Sequence, residues 1–207
     1  MAIVVVGGNS RNIGKTSVVA GLIAALPEMH WTAFKVTQYG HGFCTADGKP
    51  CECQTADSCV SVSAECDPAT GTDTARFLAA GAARSIWVRT RIGMLAEAMP
   101  RIREELAKAG NAILESNSIL DYLDPDLYLS VIDPSLADFK LSARAHLLRA
   151  DAILWSTRSG AVPDAHAQAD LDLGPVPRFV VQAPDYLTDD VVDFVRSRLA
   201  AKAPAHR

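Results

Sequence analysis

The sequence predicts an α/β protein: a single doubly wound, mostly parallel sheet, with a phosphate-binding loop at the N-terminus and a long cysteine-rich loop inserted at residues 38–70. Three observations carry this. Short apolar runs alternate with helix-like segments, and strands that are apolar throughout belong to sheets covered on both faces. The first run ends in Gly7-Gly8 and leads to Gly14-Lys15-Thr16 at the start of a helix. All five cysteines fall within residues 44–66.

The elements follow in order. Residues 2–6 (AIVVV) are a β-branched run bounded by glycines, the mark of a buried strand. A helix begins near Gly14 and continues through SVVAGLIAAL until Pro27 stops it. WTAFKVT (31–37) is a second strand, GTDTARFLAAGA (71–82) a turn and short helix, and SIWVRT (85–90) a third strand. Residues 94–110 place Leu95, Met99, Ile102 and Leu106 at three- and four-residue spacings, an amphipathic helix bent at Pro100 and ended at Gly110. NAILE (111–115) and LYLSVID (127–133) are strands, and SARAHLLRA (142–150) is helical. DAILWS (151–156) and RFVVQAP (178–184) are the last strands before a closing helix over 188–202. Residues 38–70 and 157–177 show no periodicity, and loops as long as the first are usually functional or disordered.

A chain of 207 residues is most simply one domain, 1–207. Its net charge of −4 leaves no electrostatic footprint for nucleic acid or an anionic membrane, so neither is expected as a partner. No apolar stretch reaches the roughly 18 residues of a membrane span. The N-terminus also lacks the basic segment of a signal peptide, so a cytoplasmic location is expected. In that reducing setting five cysteines, an odd number, favour thiols or metal ligands over a disulfide framework.

A phosphate-binding loop needs a strand, a glycine-rich turn with inward N–H groups, and a helix N-terminus. Residues 3–17 supply them in that order. The candidate phosphate contacts are Gly8, Asn9, Ser10, Arg11, Asn12, Ile13, Gly14, Lys15, Thr16 and Ser17. In such loops the lysine, here Lys15, reaches the β- and γ-phosphates and the hydroxyl, here Thr16, holds Mg²⁺. The spacing is one residue longer than standard: the usual first glycine falls at Asn9, and Gly8 gives G-x5-G-K-T.

That longer loop, GNSRNIGKT, resembles the loop of dethiobiotin synthetases, whose class includes MinD-type ATPases and nickel-insertion GTPases. With FKVTQYGHG (34–42), GTDTARFLAAGA (71–82) and AILES (112–116) added, residues 2–120 are similar in motif order to the molybdopterin-guanine dinucleotide biosynthesis protein B (MobB) family. Asp73, Arg76 and Ala80-Gly81-Ala82 carry the most specific match. The family's Glu-Gly pair reads Glu115-Ser116 here, and of its paired histidines only His41 remains. Residues 131–156 resemble the nickel-insertion GTPases instead. Their guanine-reading Asn-Lys-x-Asp is replaced by Ser156-Thr157-Arg158-Ser159, without a carboxylate, so both ATP and GTP are candidates.

The resemblance implies that Asp73 and Glu115 join Thr16 at Mg²⁺ or orient a water, with Lys15, Asp73 and Glu115 as the catalytic set. Glu115 ends an apolar strand, where open α/β sheets bind ligands. Asp73 lies between two threonines before a helical pattern, so it is either a site residue or an N-cap. Lys35 either reaches the same crevice or extends to solvent. The Gln182-Ala183-Pro184 turn is placed at the nucleotide base by fold analogy. Cys44, Cys51, Cys53, Cys59 and Cys66, with His41 just upstream, offer six candidate zinc ligands where four suffice. Redox chemistry and incidental thiols are the alternatives.

Three functions follow. One is a MobB-like NTPase, an accessory factor in metal or molybdenum-cofactor handling that works with a metal or pterin-cofactor protein. Another is an ATP-dependent small-molecule kinase or ligase. The third is a nucleotide-responsive binding module without turnover. The resemblance also implies a homodimer.

Overall fold

The computed structural model describes residues 1–40, 59–136, 139–157, 173 and 175–202. Along the chain run β1 (Ile3–Gly8), α1 (Lys15–Ala25), β2 (Trp31–Tyr39), β3 (Val60–Glu65), α2 (Asp73–Ala79), β4 (Arg84–Arg91), α3 (Leu95–Ala107) and β5 (Asn111–Glu115). β6 (Leu127–Ile132), α4 (Leu141–His146), β7 (Ala152–Ser156), β8 (Arg178–Val181) and α5 (Asp189–Lys202) follow. The strands form one sheet in the order β3-β4-β2-β5-β1-β6-β7-β8. Every neighbouring pair is parallel except β3 with β4.

Side chains of a strand alternate between faces, and here both faces are apolar because both are covered. Val4 and Val6 pack with Leu22 of α1, Phe77 of α2 and Val195 of α5. Val5, Phe34 and Leu114 pack on the other face with Leu95, Met99 and Ile102 of α3. Each fully buried residue of this size contributes about 1.5–3 kcal/mol. That scale explains α3, which runs on through Pro100 to Ala107. A proline inside a helix costs about 3 kcal/mol, less than the burial of Leu95, Met99, Ile102 and Leu106 returns.

The expected loop at 38–70 needs correction. β2 extends to Tyr39, and residues 60–65 form β3, an antiparallel edge strand on β4. VSVSAE carries serines where an exposed strand face usually carries charge, which hid its alternation. Val60 and Val62 still pack against the α3 side of the core. Residues 41–58 lie outside the described residues. Among the described residues no helix is long and apolar enough to cross a membrane.

The sheet positions the site by register. Glu115, the last residue of β5, is level with Val6 of β1 on one side and Lys35 of β2 on the other. The C-terminal ends of β1, β2 and β5 therefore open into one crevice, where parallel sheets bind ligands.

Candidate functional site

The loop after β1 is fixed at its entry by long-range contacts. Gly8 N–H donates to Asn117 Oδ1 at 2.8 Å, and Asn117 Nδ2 donates back to the Gly8 carbonyl at 2.9 Å. A Cβ on Gly7 would lie 2.2 Å from that same Oδ1, so the amide can sit there only because residue 7 is glycine. Asn9 is buried, with its N–H on the Val131 carbonyl and its carbonyl on Lys140 N–H. Its side chain exchanges two bonds with the backbone of Asp133, at 2.9 and 3.0 Å. Asn9, expected as a phosphate contact, also braces the loop, through its backbone N–H and carbonyl and its side-chain amide.

The loop leaves through Gly14, whose φ of 96° is the left-handed region that suits glycine. α1 starts at the next residue, so its unpartnered N–H groups face the crevice. Lys15 Nζ folds back to the Ser10 carbonyl. Burial pushes this ammonium down to about 8, with the Glu115 carboxylate opposing the shift. A buried cation over a helix N-terminus is matched by an anion such as phosphate.

At the loop exit the groups are charged. Thr16 Oγ1 donates to Glu115 Oε2 at 2.8 Å, and Glu115 is only 4 % exposed. Lys35 Nζ reaches Glu115 Oε1 at 2.6 Å, Asp73 Oδ2 at 2.7 Å and Thr16 Oγ1 at 3.4 Å. Burial alone would push the Lys35 ammonium down, but the Glu115 and Asp73 carboxylates outweigh it and raise it above the usual lysine range. Lys35 thus turns into the crevice rather than out to solvent.

Asp73 is free to join because Thr72 is the cap of α2: its hydroxyl accepts from Ala75 N–H at 3.1 Å. Thr72 and Thr74 donate to Glu65 at 2.9 and 3.1 Å, which anchors both neighbours of Asp73 on the end of β3. One turn along α2, Arg76 Nη2 donates to Ser17 Oγ at 3.0 Å.

These groups line a cavity of about 790 Å³, within the size range of small-molecule sites. Arg11, Asn12, Gly14, Lys15, Thr16 and Ser17 line it, together with Lys35, Asp73 and Glu115. Gln182, Ala183 and Pro184 do not: they are exposed, and the residue their turn presents to the cavity is Tyr186. Its ring lies over Gly14, where a Cβ would come within 2.2 Å of it. Sequence reasoning missed Tyr186, Asn117 and any site role for Arg76. Only Arg76 left a signal, as part of the Asp73-to-Ala82 motif.

Cys59 and Cys66 are exposed free thiols at opposite ends of β3. Seven residues of extended chain separate them by about 23 Å, so one zinc with Zn–S bonds near 2.3 Å cannot take both. Among the described residues no group of three His, Cys, Asp or Glu is placed to hold a metal. Cys44, Cys51, Cys53 and His41 lie outside the described residues.

The comparison with solved structures agrees with the fold. HypB from Helicobacter pylori, crystallised in complex with nickel, aligns over 100% of this chain and 91% of its own, with a TM-score of 0.51 and 15% identity. The chain shares the α/β fold of that protein. Bacillus subtilis MobB aligns over 96% of this chain and 98% of its own, with a TM-score of 0.42 and 16% identity. No protein-family model matches the chain, and no curated protein matches it in sequence.

Proposed function

We propose that this chain binds ATP or GTP with Mg²⁺ in the crevice at the ends of β1, β2 and β5 and hydrolyses it, acting as an accessory factor in metal or molybdenum-cofactor handling. The observation that carries the reading is the convergence of Lys15, Thr16 and Glu115 at the N-terminus of α1, with Asp73 across the cluster.

Lys15 and the N–H groups of the loop and of α1 hold the phosphates. Mg²⁺ is bound through one or two carboxylates together with substrate phosphates and waters. Thr16, Glu115 and Asp73 fit that donor set: all oxygen, two of them acidic, in one cluster. When bound, the ion neutralises charge on the phosphates and orients them. Asp73, 41 % exposed, is the carboxylate open enough to orient an attacking water. Tyr186 stands over Gly14, where the base or ribose would lie against its ring.

Isothermal calorimetry with MgATP and MgGTP tests this. Lys15→Ala is expected to abolish binding while the circular dichroism spectrum stays unchanged, and unaltered affinity would sink the reading. A second reading, phosphoryl transfer to a small molecule, is favoured by the cavity's extension to Thr37 and Gln38 of β2 and Trp87 of β4. Turnover that depends on an added acceptor would select it.

A further inference from the structure

Lys35 offers three N–H donors, and they meet Glu115, Asp73 and Thr16, at 2.6, 2.7 and 3.4 Å. These are the three side chains assigned above to Mg²⁺. The Thr16 hydroxyl gives its own proton to Glu115. Its oxygen therefore turns a lone pair to the Lys35 ammonium, the same lone pair a metal would take. A compact ammonium and a small divalent cation both seek a cage of oxygens with negative charge. The cluster is too small to serve both.

We infer that Lys35 is an internal counter-ion of the divalent-cation site: the ammonium and the metal exclude each other at Glu115, Asp73 and Thr16, so the metal gains this site only together with a nucleotide. The inference rests on the function proposed above. Two features make the exchange workable. The lysine stem is four carbons long and lines the cavity, so Nζ can leave the carboxylates without disturbing β2. A phosphate in the loop then supplies a new anionic partner for Nζ and further oxygen ligands for the ion. Without it, a divalent cation must compete with a tethered ammonium for two carboxylates, and Mg²⁺ in particular sheds its waters reluctantly.

The counter-ion also explains why the carboxylates can sit so close. Glu115 is nearly buried, and a buried carboxylate without a partner is strongly destabilising. Lys35 is that partner and holds the carboxylate beside Thr16, in the position a metal would use. The site is thereby held in shape with a cation of its own.

The test is to titrate Mn²⁺ into protein purified without nucleotide and follow the free ion by electron paramagnetic resonance. Wild type is expected to take up Mn²⁺ weakly alone and tightly with ADP. Lys35→Met removes the competing charge, and the nucleotide-free affinity for Mn²⁺ should rise about 10- to 100-fold, on the scale of one unit charge a few ångströms away. A folded Lys35→Met protein with unchanged Mn²⁺ affinity overturns the inference, as does wild type that binds Mn²⁺ equally well with and without ADP. If Lys35→Met does not fold, Lys35→Gln decides the same point, since it keeps a donor between the carboxylates but no charge. Calorimetry with MgADP reads the nucleotide site separately. No ADP binding there would overturn the proposed function while the nucleotide-free Mn²⁺ comparison still judged Lys35.

Discussion

At its entry the phosphate loop is held by neutral groups. Asn117 closes on both backbone atoms of Gly8, and Asn9 is tied through its backbone and its side-chain amide to the backbone of Val131, Asp133 and Lys140. At its exit Thr16 lies among Lys35, Glu115 and Asp73, all ionic. Amide pairs with the backbone fix geometry and do not depend on what else arrives. Charged groups at such distances are held only by one another, and a phosphate or a metal rearranges them. The entry sets the loop's shape, and under the function proposed above the exit reacts to the ligand.

Substitution at the exit should therefore remove chemistry and spare the fold. Glu115→Gln keeps the volume and the hydrogen-bonding capacity beside Thr16 and Lys35 but removes the charge. With Mg²⁺ and nucleotide, turnover is expected to fall about 100- to 1000-fold, the cost of losing one charge-stabilising group, at nearly unchanged melting temperature. Steady-state phosphate release checks it. Turnover within a few-fold of wild type would mean that this carboxylate is not part of the reacting cluster.

At the entry the balance is reversed. Asn117→Ala deletes two hydrogen bonds to Gly8, each contributing about 1 kcal/mol. The melting temperature should drop by about 4–8 °C, measured by thermal circular dichroism, while turnover at saturating nucleotide changes less than for Glu115→Gln. A larger loss in turnover than in stability would show that the two ends of the loop are not separable in this way.

The same contrast explains what the sequence disclosed. The exit was legible because charge stands out in apolar surroundings. Glu115 ends a run of Ala-Ile-Leu, Lys35 interrupts another strand, and Lys15-Thr16 follows a glycine. Such residues need a reason at those places, and the reason is the crevice. The entry was not legible. Asn9 read as part of the loop from its spacing alone, since nothing local reveals that Asp133, more than a hundred residues on, holds it. Asn117 and Tyr186 likewise act from loops, through contacts that periodicity does not encode. Most strands and helices were legible for the reason Glu115 was, an uninterrupted apolar run with a clear end. β3 was not, because an edge strand needs only one buried face and its serines gave no contrast. Asp73 lay between: two readings stood in sequence, and only the hydroxyl of Thr72 on Ala75 N–H decides that the cap is the neighbour.

The smallest expected effect concerns Lys15, which belongs to both ends: its backbone starts α1 while its ammonium reaches back to Ser10. Burial brings its pKa from 10.5 down to about 8. The folded chain thus disfavours the charged form that the unfolded chain keeps up to about pH 10.5. Between those values the unfolded state binds more protons, so this group's contribution to stability rises with pH. Phosphate binding acts in the opposite sense, because only the ammonium pairs with the anion and a bound phosphate raises its pKa again. Nucleotide binding should therefore take up a proton as pH passes 8, and affinity should fall about tenfold between pH 7 and pH 9. Calorimetry in two buffers of different ionisation enthalpy reads the proton directly. Stability and affinity moving in opposite directions across this window would identify Lys15 as a cation held at a cost for its ligand. If both fell together, the pH dependence would have to come from another group.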